Sequence, residues 1–182
     1  MLHPGPHPTD ESGMATGLDL ASDVSERGIR AEPNGYVLLR LGGSRYAVGM
    51  SAVAEVGRLP KLTRVPGTPI WLSGVANWRG RILAVLDIRP LMGAPITPTG
   101  SLGRLVVLTA DNITVGLLTE GVQGVIECDV DSIDPPPMSL ESEAMSLLQG
   151  QFTQPTGPIA VLDPAAVLAL RLRLPSPRRA GS

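Results

Sequence analysis

The sequence predicts an all-β protein assembled from two copies of one five-stranded unit. Two features carry that expectation: short apolar runs closed off by turn residues, and a self-similarity displaced by about a third of the chain.

Tyr36–Leu41, Tyr46–Met50, Ile82–Leu86, Arg104–Leu108 and Ile113–Leu118 are apolar runs of five or six residues. GGS, PGTP and ADN segments separate them, and such turn chemistry ends strands where a helix would run on. Runs of this length mark small barrels or a sandwich. One helix stands out. Asp163 before Pro164 sets an N-cap ahead of a proline at the first helical position, and Ala165–Leu172 follows as helix. A short helical turn after Asp87 is the parallel case.

Sliding the sequence by 67 positions lays Leu38 on Leu105, Leu41 on Leu108 and Val48-Gly49 on Val115-Gly116. After a small insertion the shift becomes 76, and Ala84-Val85-Leu86-Asp87 falls on Ala160-Val161-Leu162-Asp163, with Leu72 and Gly74 on Leu148 and Gly150. The first unit then spans about 35–94 and the second about 102–174. A unit of roughly 60 residues is marginal alone, so the two are expected to share a core or exchange a strand. Whatever both copies keep reads as structural, which makes Asp87 and Asp163 helix caps in preference to catalytic acids. What differs reads as functional. Asn77-Trp78-Arg79-Gly80 is placed at a hairpin tip, and the second copy has Thr153-Gln154-Pro155-Thr156 there.

Composition narrows the function classes. The formal charge is -2, aromatic residues make up 3% of the chain, and no Lys/Arg run tracks a phosphate backbone, which argues against nucleic acid. Both histidines, His3 and His7, precede the body, so Ser-His-Asp or Cys-His catalysis and a His-based metal site are excluded from it. With no Gly-rich phosphate loop either, neither an enzyme nor a bound cofactor or metal is expected. Cys128 is the single cysteine, which fits a reducing cytoplasm. No apolar stretch approaches the roughly 20 residues of a membrane helix. MLHPGPHPTDESG lacks the basic start and apolar segment of a secretion signal. Residues 1–34, rich in Pro, Gly, Ser and acids, read as a disordered arm, and 175–182 as a tail.

Several segments resemble the CheW-like domain family. Gly74-Val75-Ala76-Asn77-Trp78-Arg79-Gly80-Arg81 through Val85, Asp87 and Arg89 is similar to its G-V-x-N-x-R-G-x-x-x-x-V-x-D-L-R signature. Tyr46 and Ala52–Val56, Thr63-Arg64-Val65-Pro66 with Pro69, and Val115-Gly116 followed by Glu120-Gly121-Val122 and Val125 resemble its other segments. The likeness spans about 35–172.

The resemblance implies two five-stranded SH3-like β-barrels related by a pseudo-twofold, with a short C-terminal helix. It further implies a non-catalytic, cytoplasmic adaptor that couples the hairpin tip of a chemoreceptor to the regulatory domain of the histidine kinase CheA. Such an adaptor is recruited to membrane receptor arrays without inserting. Carried over by position, the binding residues are Val53, Glu55, Gly74, Asn77, Arg79, Val122 and Val125. Trp78 joins them as an exposed anchor where the family usually has an aliphatic residue. The plainer readings are that Val53, Val122 and Val125 are strand core, and that Arg79 and Glu55 form an ordinary surface pair. The rival functions are a small-barrel module for a ligand or nucleic acid, and a scaffold of the same kind in a non-motility pathway.

Overall fold

Alternation along each strand decides which core its side chains enter. In the computed structural model, which describes residues 34–99 and 103–173, the chain forms ten strands and two short helices. The arm expected over 1–34, apart from Asn34, and the tail over 175–182 lie outside the described residues. The strands are β1 (Gly35–Leu41), β2 (Ser44–Gly49), β3 (Val53–Arg58), β4 (Leu72–Trp78) and β5 (Arg81–Leu86) in the first unit. The second unit supplies β6 (Arg104–Ala110), β7 (Ile113–Thr119), β8 (Gly121–Glu127), β9 (Leu148–Gln154) and β10 (Gly157–Leu162). Helix α1 (Ser142–Met145) is one turn that the sequence pattern did not announce. Helix α2 (Pro164–Ala169) runs on as a 3-10 turn through Arg173.

Neither sheet is made by one unit alone. One sheet has the order β8-β1-β2-β10-β9 and the other β3-β6-β7-β5-β4. The first hairpin of each unit has therefore crossed to the three remaining strands of the other. The ranges 35–94 and 102–174 mark repeated sequence; the sheets are built across them.

The exchange creates three cores. Val37, Leu39, Leu41, Tyr46 and Val48 of one sheet meet Val53, Val56, Val106, Leu108, Val115 and Leu117 of the other in a large central core. The alternate residues point away from it. Tyr36, Leu38, Ala47, Phe152, Ile159 and Val161 fill one small core, and Ala76, Leu83, Val85, Leu105, Val107 and Leu118 fill the other. Each sheet thus curls around its own small core and presses its other face on the shared one.

The barrels expected from the sequence are open sheets. Edge strand β3 does not pair with β4, nor β8 with β9. One bridge in each sheet spans the gap: Thr63 pairs with Val75, and Asp134 with Gln151, through backbone hydrogen bonds of 2.8–2.9 Å. The glycines kept by both copies sit at these bridges. A Cβ on Gly74 would lie 2.4 Å from the Thr63 carbonyl oxygen, and one on Gly150 would lie 2.4 Å from that of Asp134.

The registers also correct the shift of 67. Val53 pairs with Leu108 and Val122 with Leu39, and each strand is bulged at the next residue, Ala54 or Gln123. Val122 follows Val53 by 69 positions, and Leu108 follows Leu39 by the same 69. A slip of two positions leaves every side chain on its own face, so hydrophobic pattern alone cannot detect it. The shift of 76 holds, since Leu72 pairs with Leu86 as Leu148 does with Leu162. At the strand ends Asp87 N–H donates to the Trp71 carbonyl and Asp163 N–H to that of Leu147, each at 2.8 Å. Asp163 caps α2 by accepting from the Ala165 and Ala166 N–H groups at 2.9 and 3.3 Å.

Gly150→Ala is expected to cost about 1–3 kcal/mol, because the bridge carbonyl it meets is backbone and cannot swing aside. Urea denaturation of the full chain checks this, and a variant as stable as the parent would mean the bridge is not structurally required.

Candidate functional site

Hairpin β4–β5 turns through Arg79 and Gly80, with φ of 51° and 81°. Two successive left-handed residues make a tight turn that matches strand twist and favours Asn or Gly at both places. The sequence expectation of a tip at Asn77–Gly80 is thereby narrowed to two central residues. Gly80 suits its position and Arg79 does not. Asn77 supports the turn, its Oδ1 accepting the Gly80 N–H at 2.9 Å.

The hairpin leans on edge strand β3. Trp78 is half-buried where an exposed anchor was expected: like Leu59 and Leu62 it packs against the small core of its sheet, and it lies over Gly57, where a Cβ would meet its ring at 2.4 Å. Its indole N–H donates to Glu55 Oε2 at 3.1 Å. The other carboxylate oxygen of Glu55 accepts from the Arg79 guanidinium, whose side chain is 76% exposed. Glu55, Asn77, Trp78 and Arg79 therefore form one surface cluster, whereas Gly74 lies further back along β4, buried at the Thr63 bridge.

Val122 and Val125 lie on β8, at the edge of the other sheet. The pseudo-twofold equates them with Val53 and Val56, both buried in the central core. Val122 is half-buried against that same core, whereas Val125 is 43% exposed. The exposed end of β8 is thus a place where the two copies part.

A third group was not singled out from the sequence. Arg89 is 2% exposed and Asp87 4% exposed. The guanidinium donates to both Asp87 carboxylate oxygens, at 2.8 and 2.7 Å, to the Thr97 carbonyl at 2.7 Å and to Glu120 Oε1 at 3.2 Å. Glu120 also accepts the Gly42 and Gly43 N–H groups at 3.0 and 3.1 Å. This hub ties the exit of β5 to the β1–β2 turn and to the start of β8. Asp87 shares its role of accepting a backbone N–H two residues on with Asp163, and adds a buried ion pair. Its hydrogen bonds hold the Arg89 pKa above the usual value against the opposing effect of burial. Burial pushes the Glu120 carboxyl up, but the Gly43 N–H, Arg89 and the Gly42 N–H outweigh it and hold the pKa below 4.5.

Among the described residues no group of three His, Cys, Asp or Glu side chains is gathered to hold a metal. The surface features are an aromatic, an arginine and a valine edge, which suit protein contact.

Residues 35–171 match the CheW-like domain. The chain belongs to that family. Among proteins similar to this CheW-like chain are PilI of Pseudomonas aeruginosa, 31% identical over 62% of this chain and 64% of PilI, just under two thirds of its length. FrzA of Myxococcus xanthus is 32% identical over 62% of this chain and 71% of its own. The chemotaxis protein CheW of Bacillus subtilis is 24% identical over 72% and 85%. The solved structure of the scaffolding protein TtCheW from Thermoanaerobacter tengcongensis superposes with a TM-score of 0.65 at 25% identity, covering 72% of this chain and 90% of that one.

Glu120→Gln tests the hub. Because the native pKa is depressed, the Glu120 contribution is complete above 4.5 and is lost as pH falls through the lower native value. The variant should be less stable than the parent at about pH 7 and should lose less on acidification. Parallel acid limbs in urea melts across this window would contradict the assignment.

Proposed function

We propose that this chain is a non-catalytic coupling protein that joins the cytoplasmic hairpin tip of a chemoreceptor to the regulatory domain of a CheA-type histidine kinase. The observation that carries this reading is Arg79 at φ 51°. A turn that favours Asn or Gly instead holds a long, exposed cation, and the second copy closes the same hairpin around Pro155 and Thr156. Backbone strain of this sort, about 1 kcal/mol or more, is characteristic of functional positions. A guanidinium fork suits carboxylates and backbone carbonyls of a partner. The Glu55 contact fits the same reading: on so exposed a pair it contributes little to folding, but it aims the arginine.

The second surface is the β8 edge at Val125, where an apolar side chain faces outward beside the half-buried Val122. A helical partner presents apolar residues one turn apart, and such an edge can receive them. No described helix is long and apolar enough to cross a membrane, so association with a receptor array would come through these protein contacts. Identities of 31% and 32% to PilI and FrzA favour, as a second reading, an array whose output is not swimming.

Arg79→Asn is expected to melt at or slightly above the parent, since Asn tolerates the left-handed turn. It should weaken assembly with receptor and kinase by about thirtyfold, as loss of an interface arginine commonly does. Complex formation undiminished in a pull-down would remove Arg79 from the surface; failure of the parent to bind either partner would remove the coupling reading itself.

Val125→Asp and Val122→Asp should separate edge from core. The first is expected to keep its melting temperature within a few degrees and to lose receptor binding. The second, packed on the central core, should lose stability by about 1–3 kcal/mol. Equal destabilisation of both in thermal melts would assign the whole β8 edge to the core.

A further inference from the structure

The formal charge of -2 conceals a segregation along the chain. Residues 34–104 hold nine Arg or Lys against two acids, Glu55 and Asp87. Residues 105–173 reverse this, with nine acids against Arg171 and Arg173. Of the first unit's cations, Arg58, Lys61, Arg64, Arg79 and Arg81 lie on the strands and loop that flank the open edge of the β3–β4 sheet. Register sets Arg58 directly opposite Arg104. The Thr63–Val75 bridge holds the loop bearing Lys61 and Arg64 along β4. The seating of Trp78 over Gly57 and the Arg79–Glu55 pair set the hairpin that carries Arg79 and Arg81 beside β3.

Both acids nearby are already engaged: Glu55 by Trp78 and Arg79, and Asp87 by Arg89. Among the described residues Arg58, Lys61, Arg64 and Arg81 are exposed and make no ion pair. The face therefore carries an excess of positive charge that an anionic segment complements.

We propose that its occupant is the chain's own amino-terminal segment. Residues 1–33 carry six acids, Asp10, Glu11, Asp19, Asp23, Glu26 and Glu32, against Arg27 and Arg30. That segment joins the fold where the Asn34 carbonyl accepts the Cys128 N–H at 3.0 Å, between exposed Glu127 and Asp129. Its acids are repelled where they enter and attracted by the face of opposite sign. Reach is not limiting. A chain of this length spans about 30 Å root-mean-square, comparable with the diameter of a folded body of radius of gyration about 14 Å. Tethering also gives the segment an effective concentration of order millimolar, which a second copy matches only in concentrated solution. This inference stands apart from the coupling reading, because its test uses no receptor or kinase.

Lys61 is the only lysine in the chain, which makes the test specific. A water-soluble carbodiimide joins a carboxylate to a lysine amine as an amide only when the two are in contact. With the full chain at about 0.01 M salt, peptide mass spectrometry should find Lys61 bonded to carboxylates of residues 1–33 within one chain. The yield should not depend on protein concentration. It should fall severalfold at about 1 M salt, as the screening length drops from about 30 Å to about 3 Å. It should fall likewise in the full-length triple variant R58E/R64E/R81E, whose circular dichroism melt reports whether the fold survives. Concentration-dependent bonding of Lys61 to carboxylates of residues 105–173 in another chain would make a second copy the occupant and overturn the proposal. Yields unmoved by salt, or no bond beyond Glu55, would overturn it as well.

Discussion

Neither repeat can complete a sheet by itself, and everything else in the molecule follows from that constraint. A unit of about 60 residues buries too little surface to be secure alone. Exchanging the first hairpins turns two marginal units into one body, because β1–β2 and β6–β7 each pair on one side with β8 or β3 and on the other with β10 or β5. The crossed hairpins place Val37, Leu39, Val106 and Leu108 face to face in the central core. The halves have no separate interiors to fall back on. Unfolding is expected to be cooperative across the pair, since releasing one hairpin uncovers the core of both sheets.

The polar hub works with that apolar constraint. Hydrophobic burial is non-directional and would tolerate small rotations of one sheet on the other. Arg89 does not. Its planar fork is satisfied only when Asp87, the Thr97 carbonyl and Glu120 stand where they do, and Glu120 in turn needs the Gly42 and Gly43 N–H groups. Removing one member of such a buried network leaves a charge without a partner, which is far costlier than the net worth of the pair. The hub lies at the junction of the two units, on the turn that leads into β8, so it also sets where the valine edge begins.

The surface features proposed for coupling lie where the two copies were free to diverge. Three of the four hairpins turn through left-handed residues: Gly42-Gly43, Asp111-Asn112 and Arg79-Gly80. Only the last spends such a position on a long cation. Gly57 leaves a seat for the Trp78 ring, and the Glu55 carboxylate is shared by Trp78 and Arg79, so that tip holds its arginine outward through contacts to β3. The equivalent pair Val56 and Val125 shows the same divergence on the opposite sheet, buried in one copy and exposed in the other.

The sequence by itself determined the class of fold, the repetition and the cluster at the hairpin. Turn residues and strand-length apolar runs are local properties, and Asp163-Pro164 states a helix start without reference to anything distant. Asn77 through Gly80 stood out because one copy could be compared with the other. Register, strand exchange and the hub were decided only in three dimensions. A two-residue slip preserves the alternation of faces, so a shift of 67 and one of 69 look alike until hydrogen bonds pair Val53 with Leu108 and Val122 with Leu39. Pairing β1 with β8, or with a strand of its own unit, buries similar apolar side chains, and composition does not choose between them. Arg89 and Glu120 lie 31 positions apart, and neither announces burial, because charged residues are ordinarily exposed. Only the tertiary fold, which brings the exit of β5 beside the start of β8, makes them partners.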